Sequence, residues 1–528
     1  MELERLVQAL RDPAAYPHPA GDLEVHHTHI SVVFLAGPFA YKVKKPVDRG
    51  FLDFTTLEKR RFFCGEEVRL NRRLAPDVYL DVVPLVERGG GLRVGGPGEP
   101  VEFAVKMRRL RADATALARL RRGELDADDV ERLAARIAAF HASAAGGERV
   151  ARFGRWDVVA RNARENFEQA REQAGTVVEA SVLERAADLT DAELERRRDR
   201  IEARARSGVP RDTHGDLHLD HVYLLPEREP PGDLVIVDCI EFNERFRFAD
   251  PISDMAFLAM DLAFRGRRDL AARFTEAYLE GSGDDGGAEL VPLYRAYRAA
   301  VRGKVEGMTF LDPEVPEEAG REARDRARAY WLLSLGELEE PERRPCLVLV
   351  GGLPGTGKST LAAGLSRAAG FQVLSSDRVR KELAGVPEER CAAADFEEGI
   401  YSPEWTGRTY AALRERAREA LVAGGRVVVD ASFRSEVSRR EIMQVAEELA
   451  VGVLFVVCEA DPDVVEDRVE ARRGGPSDAD RGVYRAMARR WEAPDPATAR
   501  HVRSVDTAGD PERSLDRAVR LLRAEGLA

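Results

Sequence analysis

The stretch GLPGTGKS, residues 352–359, decides the fold class of the C-terminal part of the chain. It matches the pattern G-x-x-x-x-G-K-[ST], follows the apolar run CLVLVGG and opens the helical segment STLAAGLSRAAG, which is the context that this motif requires. In such a loop the backbone N–H groups turn inward around phosphates, Lys358 reaches the terminal phosphates and the Ser359 hydroxyl ligates Mg²⁺. The residues predicted to bind the nucleotide here are Gly352, Pro354, Gly355, Thr356, Gly357, Lys358, Ser359 and Thr360.

Further apolar runs, FQVLSS, RVVVDAS and VGVLFVVC, follow this motif and are separated by helix-like segments. Apolar runs that alternate with helices predict a parallel α/β sheet covered by helices. Asp430 ends the strand RVVVD, so we expect it at the carboxyl edge of the sheet, as a second metal ligand beside Ser359. The alternative is an ordinary aspartate at a strand end or helix cap.

The segment SSDRVRKEL places an acid and a cation close together in the sequence. Asp377 ends the strand FQVLSS, and Arg380 falls three residues later, so both face one cleft if a helix starts there. The alternative for Asp377 is a helix cap.

With these motifs, residues 345–528 resemble P-loop kinases related to polynucleotide kinase, chloramphenicol phosphotransferase, gluconate kinase and zeta toxins. The resemblance implies that Asp377 accepts the proton of the attacking hydroxyl and that Arg380 holds the acceptor. EDRVEARRGGPSDADRGVYRAMARRWE is similar to the lid of that family, which implies that Arg468, Arg472 and Arg473 close over the triphosphate. The alternative for these arginines is a solvated helix face, because the chain is rich in arginine.

The first part of the chain has a different order of elements: strand-like ISVVFLAG, FAYKVKKP and VEFAVKM precede long helical segments. HGDLHLDH, IVDCIEF and ADPISDMAFL follow in that order. Residues 25–335 thereby resemble aminoglycoside phosphotransferases and the related protein-kinase-like fold, with a small antiparallel lobe and a helical lobe. The resemblance implies that Asp216 is the catalytic base and that Glu241, or alternatively Asp238, holds Mg²⁺.

The same resemblance implies a phosphate lysine on FAYKVKK, where Lys42 and Lys44 share one strand face. We favour Lys44, with Glu67 of GEEVRLNRRL as its ion-pair partner. One position departs from the family pattern, because His221 stands where the second metal ligand is an asparagine. Imidazole is a poor ligand for Mg²⁺. Either Asp220 or Asn243 supplies the oxygen, or the lobe binds a nucleotide or substrate without transferring phosphate.

Length and composition set the remaining limits. A chain of 528 residues exceeds a single hydrophobic core, and the charged stretch GELEEPERRP marks a boundary, so we predict domains at 1–338 and 345–528 with a linker at 339–344. A net charge of -12 disfavours nonspecific binding of nucleic acid. No run approaches the roughly 20 apolar residues of a membrane span, so we expect a cytoplasmic protein with reduced, mostly buried cysteines.

The chain as a whole resembles bacterial fusions of these two families. This predicts an ATP- and Mg²⁺-dependent kinase whose C-terminal domain phosphorylates a hydroxyl of a small molecule, such as a sugar or an antibiotic. The N-terminal domain is then a second kinase or a substrate-binding lobe. Two alternatives stay open: a kinase of nucleic-acid 5′-hydroxyl ends, and an ATP-hydrolysing switch with an N-terminal pseudokinase. The sequence does not indicate the oligomeric state.

Overall fold

A computed structural model describes residues 2–387, 398–471 and 481–528. Its contacts divide the chain into two compact units. Unit 1 comprises residues 1–160, 196–263 and 267–294, and unit 2 comprises residues 161–195, 264–266 and 295–528. Among the described residues, no helix combines the length and the apolar character needed to cross a membrane.

The elements up to residue 338 begin with a sheet and continue mainly as helices. The strands are β1 (Leu23–His27), β2 (Ser31–Ala36), β3 (Phe39–Lys44), β4 (Tyr79–Arg88), β5 (Gly91–Val94), β6 (Pro100–Arg108), β7 (Arg211–Asp212), β8 (Val222–Leu224), β9 (Leu234–Ile236) and β10 (Phe248–Ala249). The helices are α1 (Leu3–Leu10), α2 (Leu57–Asn71), α3 (Ala116–Arg121), α4 (Ala127–Ser143), α5 (Glu148–Ala151), α6 (Trp156–Gln169), α7 (Ala180–Arg196), α8 (Arg198–Arg206), α9 (Glu244–Arg247), α10 (Pro251–Phe264), α11 (Arg268–Ser282), α12 (Val291–Leu311) and α13 (Glu317–Leu338).

In unit 1, strands β1 to β6 form an antiparallel sheet in the order β1-β2-β3-β6-β4-β5. Alternate residues of β2 and β3, such as Phe34, Tyr41 and Val43, are buried in a core that also contains Leu6 and Leu10 of α1. The period of two along β3 therefore places Lys42 and Lys44 on the opposite face from this core. The assignment of unit 1 to the protein-kinase-like fold stays a prediction.

The elements after residue 338 alternate between strands and helices. The strands are β11 (Cys346–Gly351), β12 (Gln372–Ser375), β13 (Arg426–Asp430), β14 (Gly452–Glu459) and β15 (Val502–Asp506). The helices are α14 (Lys358–Ala369), α15 (Ser376–Leu383), α16 (Pro403–Val422), α17 (Glu436–Glu448), α18 (Pro462–Ala471), α19 (Arg481–Arg489), α20 (Pro496–Ala499) and α21 (Pro511–Ala524).

The strands of unit 2 form a parallel sheet in the order β12-β13-β11-β14-β15. Both faces of its central strand are covered, since Leu347 and Leu349 pack into one core cluster while Val348 and Val350 pack into another. Burial on both faces explains why this strand reads as a continuous apolar run. The predicted parallel α/β sheet of the C-terminal part is confirmed.

Several helices that precede the predicted linker pack within unit 2. Trp331 of α13 is fully buried in the same cluster as Val182 of α7, Leu347 of β11 and Leu421 of α16. Because these apolar faces share one core, the compact units do not divide at residues 339–344. The domain limits 1–338 and 345–528 stay a prediction.

Candidate functional site

The glycine-rich loop of unit 2 joins the buried strand β11 to the first turn of α14. Gly355 has φ +83°, and a Cβ atom at this position would lie 2.8 Å from Val469 Cγ2. Gly352 has φ +139°, and a Cβ atom there would lie 2.6 Å from the carbonyl oxygen of Cys458. L-residues rarely adopt such φ angles, and neither position has room for a side chain. The motif therefore has glycine where the turn requires it.

Hydrogen bonds within unit 2 hold this loop in shape. Thr356 Oγ1 and Lys358 Nζ both donate to the carbonyl oxygen of Leu353, at 2.8 and 2.9 Å. Thr507 Oγ1 donates to the carbonyl oxygen of Thr356 at 2.5 Å, and Pro354 is buried. The Lys358 ammonium thus lies against the backbone of the loop in which a phosphate would bind.

Two side-chain oxygen atoms meet between the start of α14 and the end of β13. Ser359 Oγ donates to Asp430 Oδ2 at 2.7 Å, which joins the first turn of α14 to the carboxyl end of β13. Hydroxyl and carboxylate oxygens are the ligands that Mg²⁺ prefers. These two residues, predicted from sequence as metal ligands, are adjacent and fit such an ion.

A cavity of about 350 Å³ lies beside the loop. Volumes of roughly 300–1,000 Å³ are typical of small-molecule sites. Its lining comprises Gly355, Gly357, Thr360, Leu361, Arg468, Thr507, Pro511 and Ser514.

Arg468 contributes to the wall of this cavity. Its Nη1 and Nη2 donate to the carbonyl oxygens of Thr507 and Ala508, at 2.9 and 2.8 Å, so these interactions orient the guanidinium. The other predicted lid arginines, Arg472 and Arg473, lie outside the described residues.

Asp377 lies in the first turn of α15, directly after β12. Burial and the carboxylate of Asp430 raise the pKa of Asp377, and the positive charges of Lys358 and Arg380 act against them. Asp377 is therefore close enough to Lys358 and Asp430 for their charges to influence its pKa. A carboxyl group whose pKa is raised is suited to accepting a proton.

Arg380 lies one turn after Asp377 and is buried. Its Nη1 donates to the carbonyl oxygen of Ile400 at 2.7 Å, and its guanidinium carbon lies 5.1 Å from the centroid of the Tyr401 ring. Burial lowers its pKa, against the attraction of Asp377. Its buried Nε has no hydrogen-bond partner among the residues that the structure describes.

A second group of charged residues lies inside unit 1. Lys44 Nζ donates to Glu67 Oε2 at 2.6 Å and also to Glu241 Oε1. Lys42 contacts the other Glu67 oxygen at 2.9 Å and donates to Asp238 Oδ1. The side chains of Lys44 and Glu67 are both fully buried. The structure thus joins the predicted phosphate lysine, its predicted partner and both candidate metal ligands in one network.

The pKa directions in this network follow from burial and pairing. Burial alone would lower the pKa of Lys44, but the carboxylates of Glu241 and Glu67 outweigh it and raise the pKa. Burial raises the pKa of Glu241, although Lys44 acts against it. The pKa of Glu67 is lowered, because the attraction of Lys42 and Lys44 exceeds the effect of burial. The lysines are therefore charged at neutral pH.

Asp216 follows a turn that a distant aspartate fixes. The backbone N–H groups of His214 and Gly215 donate to Asp254 Oδ2 and Oδ1, at 3.0 and 2.8 Å. The Asp216 carboxylate then lies 3.5 Å from His218 Nε2 and 3.6 Å from His221 Nδ1. Sequence reasoning gave no role to Asp254 or His218, although the former belongs to the quoted segment ADPISDMAFL and the latter stands two residues after Asp216.

Comparisons with known proteins match both the P-loop region and nearly the whole chain. A family model described as "AAA domain" matches residues 347–494, which contain the glycine-rich loop. Uncharacterized protein Rv2004c of Mycobacterium tuberculosis (strain ATCC 25618 / H37Rv) is 35% identical over 511 residues, which span 96% of this chain and 97% of that protein. The chain belongs to the family of this mycobacterial protein. Uncharacterized protein Mb2027c of Mycobacterium bovis belongs to the same family, with the same identity and coverage.

Solved structures are similar over a smaller part of the chain. A sugar kinase from Janibacter sp. HTCC2649 is 20% identical with a TM-score of 0.26, and covers 34% of this chain and 97% of its own. A gluconokinase from Sinorhizobium meliloti 1021 is 22% identical with a TM-score of 0.26, and covers 34% of this chain and 94% of its own. The assignment of residues 347–494 as an AAA-type P-loop domain rests on the family model and the loop geometry.

Proposed function

We propose that the P-loop domain is an ATP-dependent kinase that transfers the γ-phosphoryl group of ATP to a hydroxyl group of a small molecule. The observation that carries this proposal is the contact between Ser359 Oγ and Asp430 Oδ2 at 2.7 Å, beside a loop whose glycines turn its backbone as a phosphate site requires. Lys358 and the partly buried Asp377 belong to the same site, since Lys358 and Asp430 both influence the pKa of Asp377. ATP and Mg²⁺ are the cofactors that fit this arrangement.

The nucleotide phosphates occupy the glycine-rich loop in this proposal. Gly355 and Gly357 present backbone N–H groups, Gly352 and Thr356 shape the loop by donating to the carbonyl oxygens of Ser432 and Leu353, and the Lys358 ammonium moves from the Leu353 carbonyl to the terminal phosphates. Ser359 and Asp430 hold Mg²⁺, which when bound neutralises charge that develops on the phosphate oxygens. Arg468 and Thr360 line the neighbouring cavity, which the rest of the nucleotide occupies in this proposal.

Asp377 accepts the proton of the acceptor hydroxyl. The acceptor oxygen forms a bond to the γ-phosphorus, the bond to the oxygen that bridges the β- and γ-phosphorus atoms breaks, and ADP leaves with that electron pair. Arg380, whose buried Nε lacks a partner among the described residues, orients the acceptor. Lys358 stabilises the charge that develops in the transition state. If the lid arginines close over the site, they exclude water from it.

A small hydroxylated acceptor, such as a sugar or an antibiotic, suits the charge of the chain best. The net charge of -12 disfavours a long polyanion, so a nucleic-acid 5′-hydroxyl end ranks second. In unit 1, the network of Lys44, Glu67 and Glu241 supports a protein-kinase-like lobe that binds a nucleotide or a substrate.

One observation favours a second function, an ATP-hydrolysing switch with a pseudokinase as its N-terminal part. His221 stands where the aminoglycoside phosphotransferase pattern has an asparagine, and its Nδ1 lies 2.8 Å from the backbone carbonyl oxygen and 3.6 Å from the carboxylate of Asp216. In that function the P-loop domain hydrolyses ATP, and unit 1 binds a partner or ligand.

The test measures ATP consumption by the full-length protein against sugars, aminoglycosides, nucleosides and 5′-hydroxyl oligonucleotides, with products identified by mass spectrometry. Wild type is compared with Lys358→Ala and with Asp216→Ala, and Lys59→Ala serves as a matched lysine control because Lys59 and its partner Asp53 are partly exposed. Phosphorylation of a small molecule that Lys358→Ala abolishes supports the kinase. ATP hydrolysis with no phosphorylated acceptor supports the switch.

A further inference from the structure

Two histidines and an aspartate of unit 1 lie close together, and the proposed P-loop kinase reaction does not involve them. Asp216, His218 and His221, here called the histidine cluster, each offer one ligand atom, and these atoms lie within 4.8 Å of one another. The ring centroids of His218 and His221 are 3.9 Å apart. All three side chains are partly buried, so they are accessible to an ion yet held by the surrounding fold.

The hydrogen bond of His221 fixes which ring nitrogen is available. His221 Nδ1 lies 2.8 Å from the carbonyl oxygen of Asp216. A carbonyl oxygen only accepts, so Nδ1 carries the proton and Nε2 of the neutral ring presents its lone pair. Metal-binding histidines are held in this way, with the distal N–H donated to a carbonyl or carboxylate oxygen. His221 therefore has the tautomer of a ligand.

The spacing of the ligand atoms fits a metal ion with short bonds. His218 Nε2 lies 3.5 Å from Asp216 Oδ2, and His221 Nε2 lies 3.7 Å from Asp238 Oδ2. In a tetrahedral site with bonds of about 2.0–2.1 Å, neighbouring ligand atoms are about 3.3 Å apart. The three ligand atoms of the histidine cluster, which lie within 4.8 Å of one another, would move closer together around an ion, and Asp238 would join them through its contact with His221.

Asp238 has an orientation that suits a fourth ligand. Its Oδ1 accepts from Lys42, which leaves Oδ2 facing His221. His214, although close in sequence, is excluded from the set: its Nε2 contacts the Val237 carbonyl oxygen at 2.9 Å, and its Nδ1 accepts from the backbone N–H of Asp216 at 3.3 Å. The set of ligands thus contains two imidazoles and two carboxylates.

We propose that Asp216, His218 and His221, with Asp238 as the fourth ligand, bind a divalent transition-metal ion such as Zn²⁺ in preference to Mg²⁺. Imidazole suits Zn²⁺ and its neighbours in the transition series, whereas Mg²⁺ prefers oxygen ligands. His221, which departs from the phosphotransferase pattern, then serves as a metal ligand. In this state Asp216 is a metal ligand rather than a proton acceptor.

The test uses full-length protein that has been stripped with a chelator and then titrated with Zn²⁺ alone or Mg²⁺ alone against a chromophoric competitor. We expect one Zn²⁺ site per chain that His218→Ala and His221→Ala each weaken by at least about tenfold. His26→Ala is the matched control, because His26 lies exposed on β1. Substitution of Co²⁺ gives an absorption spectrum that reports nitrogen ligands independently of any activity.

A second variant keeps the proposal testable if alanine disturbs the fold. His221→Asn restores an oxygen ligand, and we expect it to weaken Zn²⁺ binding by at least about tenfold while Mg²⁺ binding is retained or strengthened. Unchanged Zn²⁺ affinity in both alanine variants, equal loss in His26→Ala, or no Zn²⁺ binding by wild type would overturn the proposal. Ser359→Ala should leave Zn²⁺ binding intact, so failure here is distinguishable from failure of the P-loop kinase.

Discussion

Ser359 Oγ donates to Asp430 Oδ2 across a sequence separation of 71 residues. The contact joins the first turn of α14, which follows the glycine-rich loop, to the carboxyl end of β13. Strand β13 pairs with β11, the strand that precedes this loop. Parallel strands end at one edge of a sheet, so the fold itself brings these two oxygen atoms together.

Removal of the Lys358 ammonium should weaken ATP binding. A hydrogen bond to a charged group contributes about 1.5–3 kcal/mol, which corresponds to about 10- to 150-fold in Kd. We expect a loss of this size in Lys358→Ala, measured by calorimetric titration with ATP and Mg²⁺. The stability of the protein should hardly change, because Lys358 Nζ contacts only one carbonyl oxygen in the hydrogen bonds of the described residues. Unaltered affinity would contradict the assignment of the loop.

Gly355→Ala should disturb the loop through both its backbone and its side chain. The φ of +83° costs about 1–2 kcal/mol for an L-residue, and the new methyl group would lie 2.8 Å from Val469 Cγ2. Gly370→Ala is the matched control, since its φ is +68° but nothing lies within 4 Å of the added atom. Thermal unfolding should detect destabilisation in both variants, whereas ATP binding should fall in Gly355→Ala alone.

Asp377→Asn should separate binding from transfer. Loss of a general base typically costs about 10²- to 10⁴-fold in kcat, whereas the Kd for ATP should stay within about twofold if Asp377 contacts only the acceptor. Phosphate transfer to the acceptor found in the panel is the measurement. Asp516→Asn, an exposed change on α21, should transfer phosphate at the wild-type rate. Full turnover in Asp377→Asn would refute the role of this residue.

The raised pKa of Asp377 should also be visible on the acid side of the pH–rate profile. Burial and Asp430 raise the pKa of Asp377, and only the deprotonated carboxylate accepts a proton. As the pH falls, activity should therefore be lost at a higher pH than for an ordinary aspartate. The measurement is kcat/KM between pH 4 and pH 8, read against the pH dependence of ATP binding in the same buffers.

Glu67→Gln should destabilise unit 1 far more than the change at the preceding residue. Breaking a buried ion pair costs about 3–5 kcal/mol, and Glu67 is fully buried between Lys42 and Lys44. Glu66 forms a surface pair with Arg69, which contributes at most about 1 kcal/mol, so Glu66→Gln is the matched control. Hydrogen exchange of β3 amides across a urea series reports the difference. Equal effects would contradict the buried position of Glu67.

Thiol labelling should distinguish the buried cysteines from reactive ones. Cys64, Cys239, Cys346 and Cys458 are free and buried, and burial raises the pKa of Cys64, Cys239 and Cys458 to about 12. These thiols should stay unmodified by iodoacetamide at pH 8 in the folded protein and react in urea. Peptide mass spectrometry gives the site of each modification. Rapid labelling of Cys239 in the folded state would be contrary to this description.

The parallel sheet of unit 2 was predictable because local signals and tertiary structure agree there. An apolar run such as CLVLVGG is the direct result of burial on both faces, and the motif around Lys358 has a single structural context. Asp430 followed from its place at a strand end. The contribution of α13 to this core could not be predicted, because the sequence does not indicate which core covers the apolar face around Trp331.

The candidate sites, too, were predictable from the sequence only in part. A spacing of two along β3 predicted that Lys42 and Lys44 share a face, and the resemblance identified Glu67 as a partner. The contacts of His221 were beyond the sequence, since the backbone carbonyl that orients its ring depends on the turn after Asp216. The same holds for Arg468, whose guanidinium donates to the carbonyl oxygens of Thr507 and Ala508, about 40 residues away in the chain.

The convergence of Thr356 Oγ1 and Lys358 Nζ on the Leu353 carbonyl has a kinetic consequence. The loop already has its turned backbone, so ATP does not have to wait for chain ordering, and Lys358 exchanges one neutral acceptor for charged phosphate oxygens. No loop rearrangement should then precede binding, so the observed rate of association should rise linearly with ATP concentration. Stopped-flow mixing with a fluorescent ATP analogue would show one exponential phase without a plateau.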